Sequence, residues 1–209
     1  MGALLAFPFD DPGWPGKLML GGLFLLLGPL LLPLILVLGY LAAVAHSAAV
    51  EGAPLPAWRP WRQRLRDGGR LLLAMLVWGW PALLLFSTVV VGMLVVPPGP
   101  LAGSRLAGTL VDIAWLVQPV GLAWALLAFL LLPLQLRLSA GADSWRDIAS
   151  PAQLWWTLRA NLWGLPVAWL KELALFLVSF VGLFLAGIGL AFTSFWCLLG
   201  LARLASELK

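Results

Sequence analysis

Hydrophobic residues occupy long blocks of this sequence, and charged residues interrupt them at only a few places. Four stretches carry no charged side chain, namely residues 18–50, 71–104, 113–136 and 173–202. About 20 apolar residues in a helix cross the roughly 30 Å core of a bilayer, so each stretch is long enough to enter or cross a membrane. The pattern predicts an all-α fold, a polytopic integral membrane helical bundle.

The expected arrangement is a single integral membrane domain over residues 1–209, with membrane blocks at 18–50, 71–96, 110–136 and 162–205. Gly28-Pro29 and Pro33 interrupt the first block, and several glycines between 182 and 189 interrupt the last. Helices break or kink at such positions, so each of these two blocks either crosses once or folds back as a hairpin. About four to six membrane helices are therefore expected.

The segment 54–70 has the pattern of an amphipathic helix lying in the membrane interface. Trp58, Trp61 and Leu65 fall on one face. Four arginines form a second stripe, and a fifth, Arg64, lies at the other edge of the apolar face. Such arginines reach lipid phosphates. The candidate head-group contacts here are Arg59, Arg62, Arg64, Arg66 and Arg70. The alternative is a solvated loop whose tryptophans pack on neighbouring helices.

Two further segments are expected to be interfacial. In 143–161, Ser150 and Pro151 form a helix start signal, and Arg159 beside the tryptophans is a further candidate for head-group contact. In the N-terminal segment 1–17, Asp11 is the candidate N-cap of a helix with Pro12 in its first position. The connectors 54–70 and 143–161 are therefore predicted to form two interfacial amphipathic helices on the cytoplasmic side, and 1–17 is predicted to be an interfacial N-terminus.

Composition narrows the possible chemistry. Hydrophobic residues make up 62% of the chain and charged residues 11%, against about 25% charged in a soluble domain. The chain has one cysteine and one histidine, so we expect no catalytic residues, no metal site and no cofactor. The net charge of +4 comes from arginines beside the blocks, which favours anionic lipid head groups as partners and argues against nucleic acid.

Basic residues predict the orientation. If every block crosses once, eight basic residues lie on the side of connectors 44–70 and 137–161, and four lie opposite. If the first and last blocks are hairpins, eleven lie on one side and only Arg105 on the other, leaving Lys171 aside. The positive-inside rule favours the second arrangement. We therefore expect a multi-pass protein of the prokaryotic cytoplasmic membrane with both termini cytoplasmic.

A few polar residues fall within or beside the membrane blocks, where ionisable groups are costly unless they are paired or hydrated. Asp112 begins the third block, and a water-facing carboxylate is its simpler explanation. Lys171 and Glu172 are adjacent but point about 100° apart, so each needs a partner on another helix, such as Asp112 for Lys171. The candidate intramembrane polar residues are Asp112, Gln118, Lys171 and Glu172.

Several motifs together resemble a known family. Its N-terminal elements are the run from Phe7 to Trp14, Gly21-Gly22, Gly39-Tyr40, Leu55-Pro56-Ala57-Trp58 and Asp67-Gly68. Pro151, Leu158-Arg159-Ala160-Asn161 and the glycines of the last block extend the similarity over nearly the whole chain. The chain resembles an uncharacterised bacterial and archaeal membrane family, domain of unknown function four thousand and thirteen. It departs from that family at 58–66, where arginines replace the expected acidic residues, and it lacks the usual proline after Asn161.

The resemblance implies the architecture and adds no chemistry. The leading hypothesis for function is a small non-enzymatic membrane protein, an accessory or scaffold subunit that binds lipid and a protein partner in a membrane complex. The alternative is a small solute transporter or channel, for which the broken helices of the first and last blocks are the main indication.

Overall fold

The computed structural model describes residues 2–48, 54–95, 100–184 and 188–208, and every regular element in those ranges is helical. Short 3-10 turns at Phe7–Asp10, Gly28–Leu30, Trp80–Leu83 and Phe180–Phe184 join several of the helices. The α-helices α1 to α10 are, in order, Gly2–Ala6, Trp14–Leu26, Leu32–Ser47, Trp61–Gly79, Leu84–Val95, Arg105–Ser139, Trp145–Ala149, Pro151–Ala160, Leu165–Ser179 and Ile188–Glu207.

The predicted all-α membrane class is confirmed. Among the described residues, three helical segments are long and apolar enough to cross a bilayer, namely Arg105–Ser139, Leu165–Phe184 and Ile188–Glu207. Helices α2 and α3 are apolar but have only 13 and 16 residues. At 1.5 Å per residue they are about 20 and 24 Å long, so neither alone spans a core of roughly 30 Å.

The chain forms two compact units. The first combines Met1–Ala74 with Pro133–Lys209, and the second is Met75–Leu132. Helices α4 and α6 each contribute residues to both units, so the chain leaves the first unit along one continuous helix and returns to it along another.

Helix α10 is the centre of the first unit, where it contacts α1, α2, α3 and α9. Phe195, Leu199 and Ala202 on this helix are completely buried. Since lipid tails are as apolar as leucine, close packing and hydrogen bonds, rather than exclusion of water, hold such a bundle together in a membrane.

The last block folds as a helical hairpin. The Thr193 hydroxyl, near the start of α10, donates a hydrogen bond of 2.7 Å to the carbonyl of Ser179, the last residue of α9. At the far ends of the two helices, Lys171 Nζ lies 3.3 Å from Glu207 Oε2. Helices α9 and α10 are therefore antiparallel neighbours.

The first block also folds back on itself. Gly21 and Gly22 of α2 lie against Phe195 and Phe192 of α10, so α2 runs opposite to α10. Tyr40 packs near Phe195, and Arg203 donates to the carbonyl of Ala48, so α3 runs in the same direction as α10. The break between α2 and α3 ends at Leu31, whose φ of 61° is uncommon for a leucine. Pro29 and Pro33 flank this residue and prevent a continuous helix.

Contacts within the first unit bring residues of both terminal segments close to the connectors 44–70 and 137–161. Lys17 donates to the carbonyl of Leu55, and Arg137 donates to the carbonyl of Leu208. His46 Nδ1 lies 3.0 Å from the carbonyl oxygen of Ala140, which links the last turn of α3 to the residue that follows α6. We refer to this region as the basic end.

The second unit pairs α5 with the first part of α6. A Cβ on Gly121 would lie 3.2 Å from Leu85, while the Leu101 amide donates to the Leu94 carbonyl at the opposite end. Much of the apolar surface here is open, with Trp115 and Leu116 exposed at 70% and 76%.

Candidate functional site

The arginine-rich segment does not begin its helix where the sequence pattern suggested. Helix α4 starts at Trp61, not at Trp58, because Pro60 lies within the expected helix and disfavours helical geometry at Arg59. It then continues without a break into the second membrane block. Arg59, Arg62 and Arg66 are exposed as predicted, while Arg70 is partly exposed and lies 3.7 Å from Asp67.

Arg64 does not lie on the surface with the other arginines of this segment, so its predicted surface position is wrong. Its side chain is only 8% exposed, and Nη2 donates a 3.0 Å hydrogen bond to the carbonyl of Ala57. Burial lowers the pKa of its guanidinium, Tyr40 and Asp67 oppose that shift, and an arginine stays charged at neutral pH. Arg64 therefore ties the connector to α4 and carries its charge inside the protein.

Trp58 lies inside the protein and not on the lipid-facing side of a helix. It is 7% exposed and stacks on Tyr40 with ring centroids 4.1 Å apart. Its Nε1 donates to the carbonyl of Lys17, and Phe195 of α10 lies 6.0 Å away. The alternative reading of 54–70, tryptophans packed on neighbouring helices, is correct for this residue.

Asp11 caps a turn instead of the helix that sequence predicted. Helix α2 starts at Trp14, and Asp11 Oδ1 accepts a 2.6 Å hydrogen bond from the amide of Gly13. Its Oδ2 accepts a 2.7 Å bond from Lys17, which also donates to Leu55. Burial alone would raise the pKa of Asp11, but the bonds from Lys17 and Gly13 and the Lys17 charge lower it overall.

Two glycines let α3 and α4 touch through their backbones. A Cβ on Gly39 would overlap the carbonyl oxygen of Arg64, and one on Gly68 would overlap the carbonyl oxygen of Ile35. Small residues allow this close approach. Motifs that are far apart in sequence, Gly39-Tyr40, Leu55–Trp58 and Asp67-Gly68, thus meet in one place.

The second connector, 143–161, contains a helix that begins where the start signal predicted. The Ser150 hydroxyl accepts from the amide of Gln153, and α8 starts at Pro151. Trp155 and Trp156 are 59% and 64% exposed, and the exposed Arg159 guanidinium lies 6.0 Å from the Trp156 ring centroid. The short helix α7 before it has a capping box between Ser144 and Asp147, which the Ser-x-x-Asp spacing could have identified.

The predicted intramembrane polar residues lie in four different surroundings. Asp112 is exposed on α6, immediately before the apolar run that starts at Ile113. Gln118 is half-buried and lines a groove of about 400 Å³ between α5 and α6. The partner of Lys171 is Glu207, in place of the Asp112 that the sequence suggested.

Glu172 is the most unusual of these residues. It is 2% exposed, and neither carboxylate oxygen has a hydrogen-bond partner among the described residues. It lies on the buried face of α9 together with Ala168 and Leu175. Asp112 and Glu172 belong to different units.

The polar groups at the basic end are suited to binding through charge and hydrogen bonds. Exposed guanidinium groups bind phosphates by hydrogen bonds that charge strengthens, and tryptophans favour the head-group region of a bilayer. Within the described ranges, no group of three His, Cys, Asp or Glu side chains is placed to hold a metal ion.

Comparisons with known proteins give one match. The model of a family described as "Protein of unknown function (DUF4013)" matches residues 22–191. Among curated proteins and among solved structures, nothing matches. The family match covers well over half of the chain and includes the Gly39-Tyr40, Leu55–Trp58 and Asp67-Gly68 elements that meet at the α3–α4 crossing. The chain therefore belongs to the DUF4013 family of proteins of unknown function.

Proposed function

We propose that this protein is a small non-enzymatic subunit of the prokaryotic cytoplasmic membrane that acts as an accessory or scaffold protein. Its basic end binds anionic lipid head groups, and its open apolar flank binds a membrane protein partner. The observation that carries the proposal is the exposure of Arg59, Arg62 and Arg66 beside a segment that Trp58 and Arg64 anchor in the first unit.

The lipid part of the proposal rests on electrostatics. Each basic residue near an anionic membrane surface contributes about 1 kcal/mol to attraction. Three exposed arginines therefore contribute about 3 kcal/mol, which corresponds to roughly a hundredfold preference for anionic over neutral lipid. Trp155 and Trp156 are exposed in the connector 143–161, Trp163 is exposed just after it, and all three suit the same interfacial depth.

The partner part rests on how little of α6 the protein itself covers. In the most apolar window of this helix, 11% of residues are buried, against 50% for α10. Lipid tails can cover such a surface, but contact with lipid is no more favourable than contact with a well-packed helix of another protein. The flank is therefore available for association within the membrane.

The orientation completes the proposal. Eleven of the thirteen basic residues belong to the segments that would be cytoplasmic if both termini and both connectors are inside. The contacts that bring residues of both terminal segments to the basic end support this arrangement. The positive-inside rule places that end in the cytoplasm.

Glu172 supports a second candidate function, a small transporter or channel. An ionisable group without a partner inside a membrane bundle is costly, and such residues commonly mark ion or substrate pathways. In that case, Glu172→Gln abolishes uptake or conductance in reconstituted vesicles and leaves lipid binding unchanged. A scaffold gives no Glu172-dependent flux.

Lipid binding is tested with the Arg59→Gln, Arg62→Gln, Arg66→Gln triple variant. Purified wild-type and variant proteins receive equal amounts of phosphatidylglycerol and phosphatidylcholine, and native mass spectrometry counts the retained lipids. We expect the anionic preference to fall by at least about tenfold in the triple variant. The single changes Arg62→Gln and Arg105→Gln remove the same charge, and only the first should reduce the preference. An unchanged preference in the triple variant contradicts the lipid-binding proposal.

Partner binding is tested with a photoreactive amino acid on α6. At Leu116, which is 76% exposed, it should cross-link to one defined membrane protein in cells. At Ala114, which is 6% exposed on the same helix, it should not. Cross-linking to lipid only from Leu116 contradicts the partner proposal.

A further inference from the structure

A polar pocket of about 420 Å³ lies at the basic end of the first unit. Its walls come from the end of α3, the first turns of α4 and the end of α6. Most of the bundle has apolar surfaces, whereas this pocket has hydroxyl, amide, imidazole, carboxylate and guanidinium groups in its walls. The polar side chains are His46, Ser47, Gln63, Arg64, Asp67 and Ser139.

Arg64 is the charged donor of this pocket. It is more than nine-tenths buried, with 8% of its surface exposed. Its Nη2 is bonded to Ala57, but Nε has no acceptor among the described residues. A buried charged donor with unused hydrogen-bonding capacity strongly favours an anionic acceptor such as a phosphate.

His46 and Asp67 supply acceptors. The carbonyl of Ala140 can only accept, so the 3.0 Å contact assigns the proton of the neutral His46 ring to Nδ1. Its Nε2 is then an acceptor. Asp67 lies 3.8 Å from Arg66 and 3.7 Å from Arg70, distances too long for good hydrogen bonds, so its oxygens keep acceptor capacity.

These groups together suit a ligand that carries both a phosphate and hydrogen-bond donors. An ammonium donor would meet the positive charges of Arg64, Arg66 and Arg70, whereas a hydroxyl donor would not. Neutral hydroxyl groups therefore match His46 and Asp67 better.

We propose that this pocket binds a phosphoglycerol group, with the phosphate on Arg64 and the glycerol hydroxyls on His46 and Asp67. The group can come from the head group of phosphatidylglycerol or from a free glycerol phosphate. In the lipid case the inference rests on the proposed lipid-binding function and adds to it a choice among lipids of equal charge.

The experiment compares lipids with and without the glycerol group. Purified full-length protein receives equal amounts of phosphatidylglycerol, phosphatidylserine and phosphatidylethanolamine, and native mass spectrometry counts the retained molecules. Thermal unfolding with glycerol 3-phosphate or inorganic phosphate tests the soluble source, because a ligand that binds only the folded state raises the unfolding temperature. Phosphatidylglycerol should be retained about tenfold over phosphatidylserine, or glycerol 3-phosphate should stabilise the protein more than phosphate does.

Two variants test the pocket. His46→Phe and Asp67→Asn should each reduce the glycerol preference to less than about twofold. Because Asp67→Asn removes a negative charge beside Arg66 and Arg70, total retention of anionic lipid should stay equal or rise. Asp143→Asn removes an exposed carboxylate near the end of α6 and should leave the preference unchanged.

The outcomes separate this inference from the proposed function. The phosphoglycerol proposal is contradicted if all three lipids bind equally and the two soluble phosphates have equal effects. It is also contradicted if His46→Phe and Asp67→Asn both retain the preference for phosphatidylglycerol. If the triple arginine variant retains less anionic lipid in total, that result tests the exposed arginines and not the pocket. That variant should keep the ratio of phosphatidylglycerol to phosphatidylserine even where total retention falls.

Discussion

Two arginines of α4, Arg62 and Arg64, are separated by a single residue and have different surroundings. Arg62 is exposed, while Arg64 is buried and bonded to the carbonyl of Ala57. A helix turns about 100° per residue, so the side chains of Arg62 and Arg64 point about 200° apart. When one of them faces the solvent, the other faces the protein. The role of each guanidinium therefore depends on which side of α4 packs against the connector.

At the residue scale, Asp11→Asn tests the buried pair with Lys17. Asp11 is 4% exposed and its pKa is lowered from an ordinary value of 3.8. A lowered pKa means that ionised Asp11 stabilises the folded state above pH 3.8, and that this contribution disappears as the pH falls through the folded-state value. At neutral pH the variant should lose about 1–3 kcal/mol of stability.

Unfolding of the purified protein in detergent is monitored by tryptophan fluorescence at pH 7 and at pH 3. The difference between wild type and Asp11→Asn should shrink at the lower pH. Asp10→Asn, a change at the exposed neighbouring carboxylate, serves as the control and should have little effect at either pH. A loss of stability that is the same at both pH values would rule out the ionised pair as its cause.

At the element scale, helix α4 both presents exposed arginines and packs directly against α3. The first turns of α4 present exposed arginines, and the same turns cross α3 at Gly39 and Gly68 with direct backbone contact. The crossing holds the helix so that the arginines extend from a fixed position. The helix is continuous from Trp61 to Gly79.

The adjacent glycines Gly68 and Gly69 make this crossing testable. A methyl group at Gly68 would overlap the backbone of α3, whereas one at Gly69 would meet nothing within 4 Å. Gly68→Ala should destabilise the protein by about 1–3 kcal/mol or more. Gly69→Ala should be neutral or stabilise by up to about 1 kcal/mol, because alanine favours a helix.

Thermal unfolding in detergent, with lipid retention as a second readout, measures both variants. Equal stability of Gly68→Ala and Gly69→Ala would contradict the backbone contact between α3 and α4. Reduced stability of Gly68→Ala with a normal anionic preference at low temperature would show that lipid binding tolerates a looser crossing.

At the scale of the whole molecule, the proposed topology has a direct test. Ser104 precedes α6 and Asp143 follows it, and both residues are exposed. With the basic end in the cytoplasm, a membrane-impermeant maleimide should label Ser104→Cys in intact cells and Asp143→Cys only in inverted vesicles. The native Cys197 is 4% exposed, so the parent protein should label weakly and serves as the control.

The opposite labelling pattern would invert the orientation. Labelling of both cysteines from one side would contradict a membrane-spanning α6. Since this helix has 35 residues and is about 52 Å long, it reaches beyond both surfaces of a core of roughly 30 Å.

The sequence by itself determined the membrane class, the number of apolar blocks and the start of α8. Those features depend on local composition and on spacing along one helix, such as Ser150 before Pro151. Predictions about which side chains contact one another were less successful. Sequence reasoning assigned Arg64 to the surface and did not consider Glu207 as the partner of Lys171.

Only the tertiary structure decided which side of each helix is covered. Trp58 became an interior residue because Tyr40 and Phe195, on two other helices, lie beside it. The pocket around Arg64 exists because the ends of α3 and α6 meet α4 there. Periodicity along a chain reports which residues share a face, but it contains no information about which other helix packs on that face.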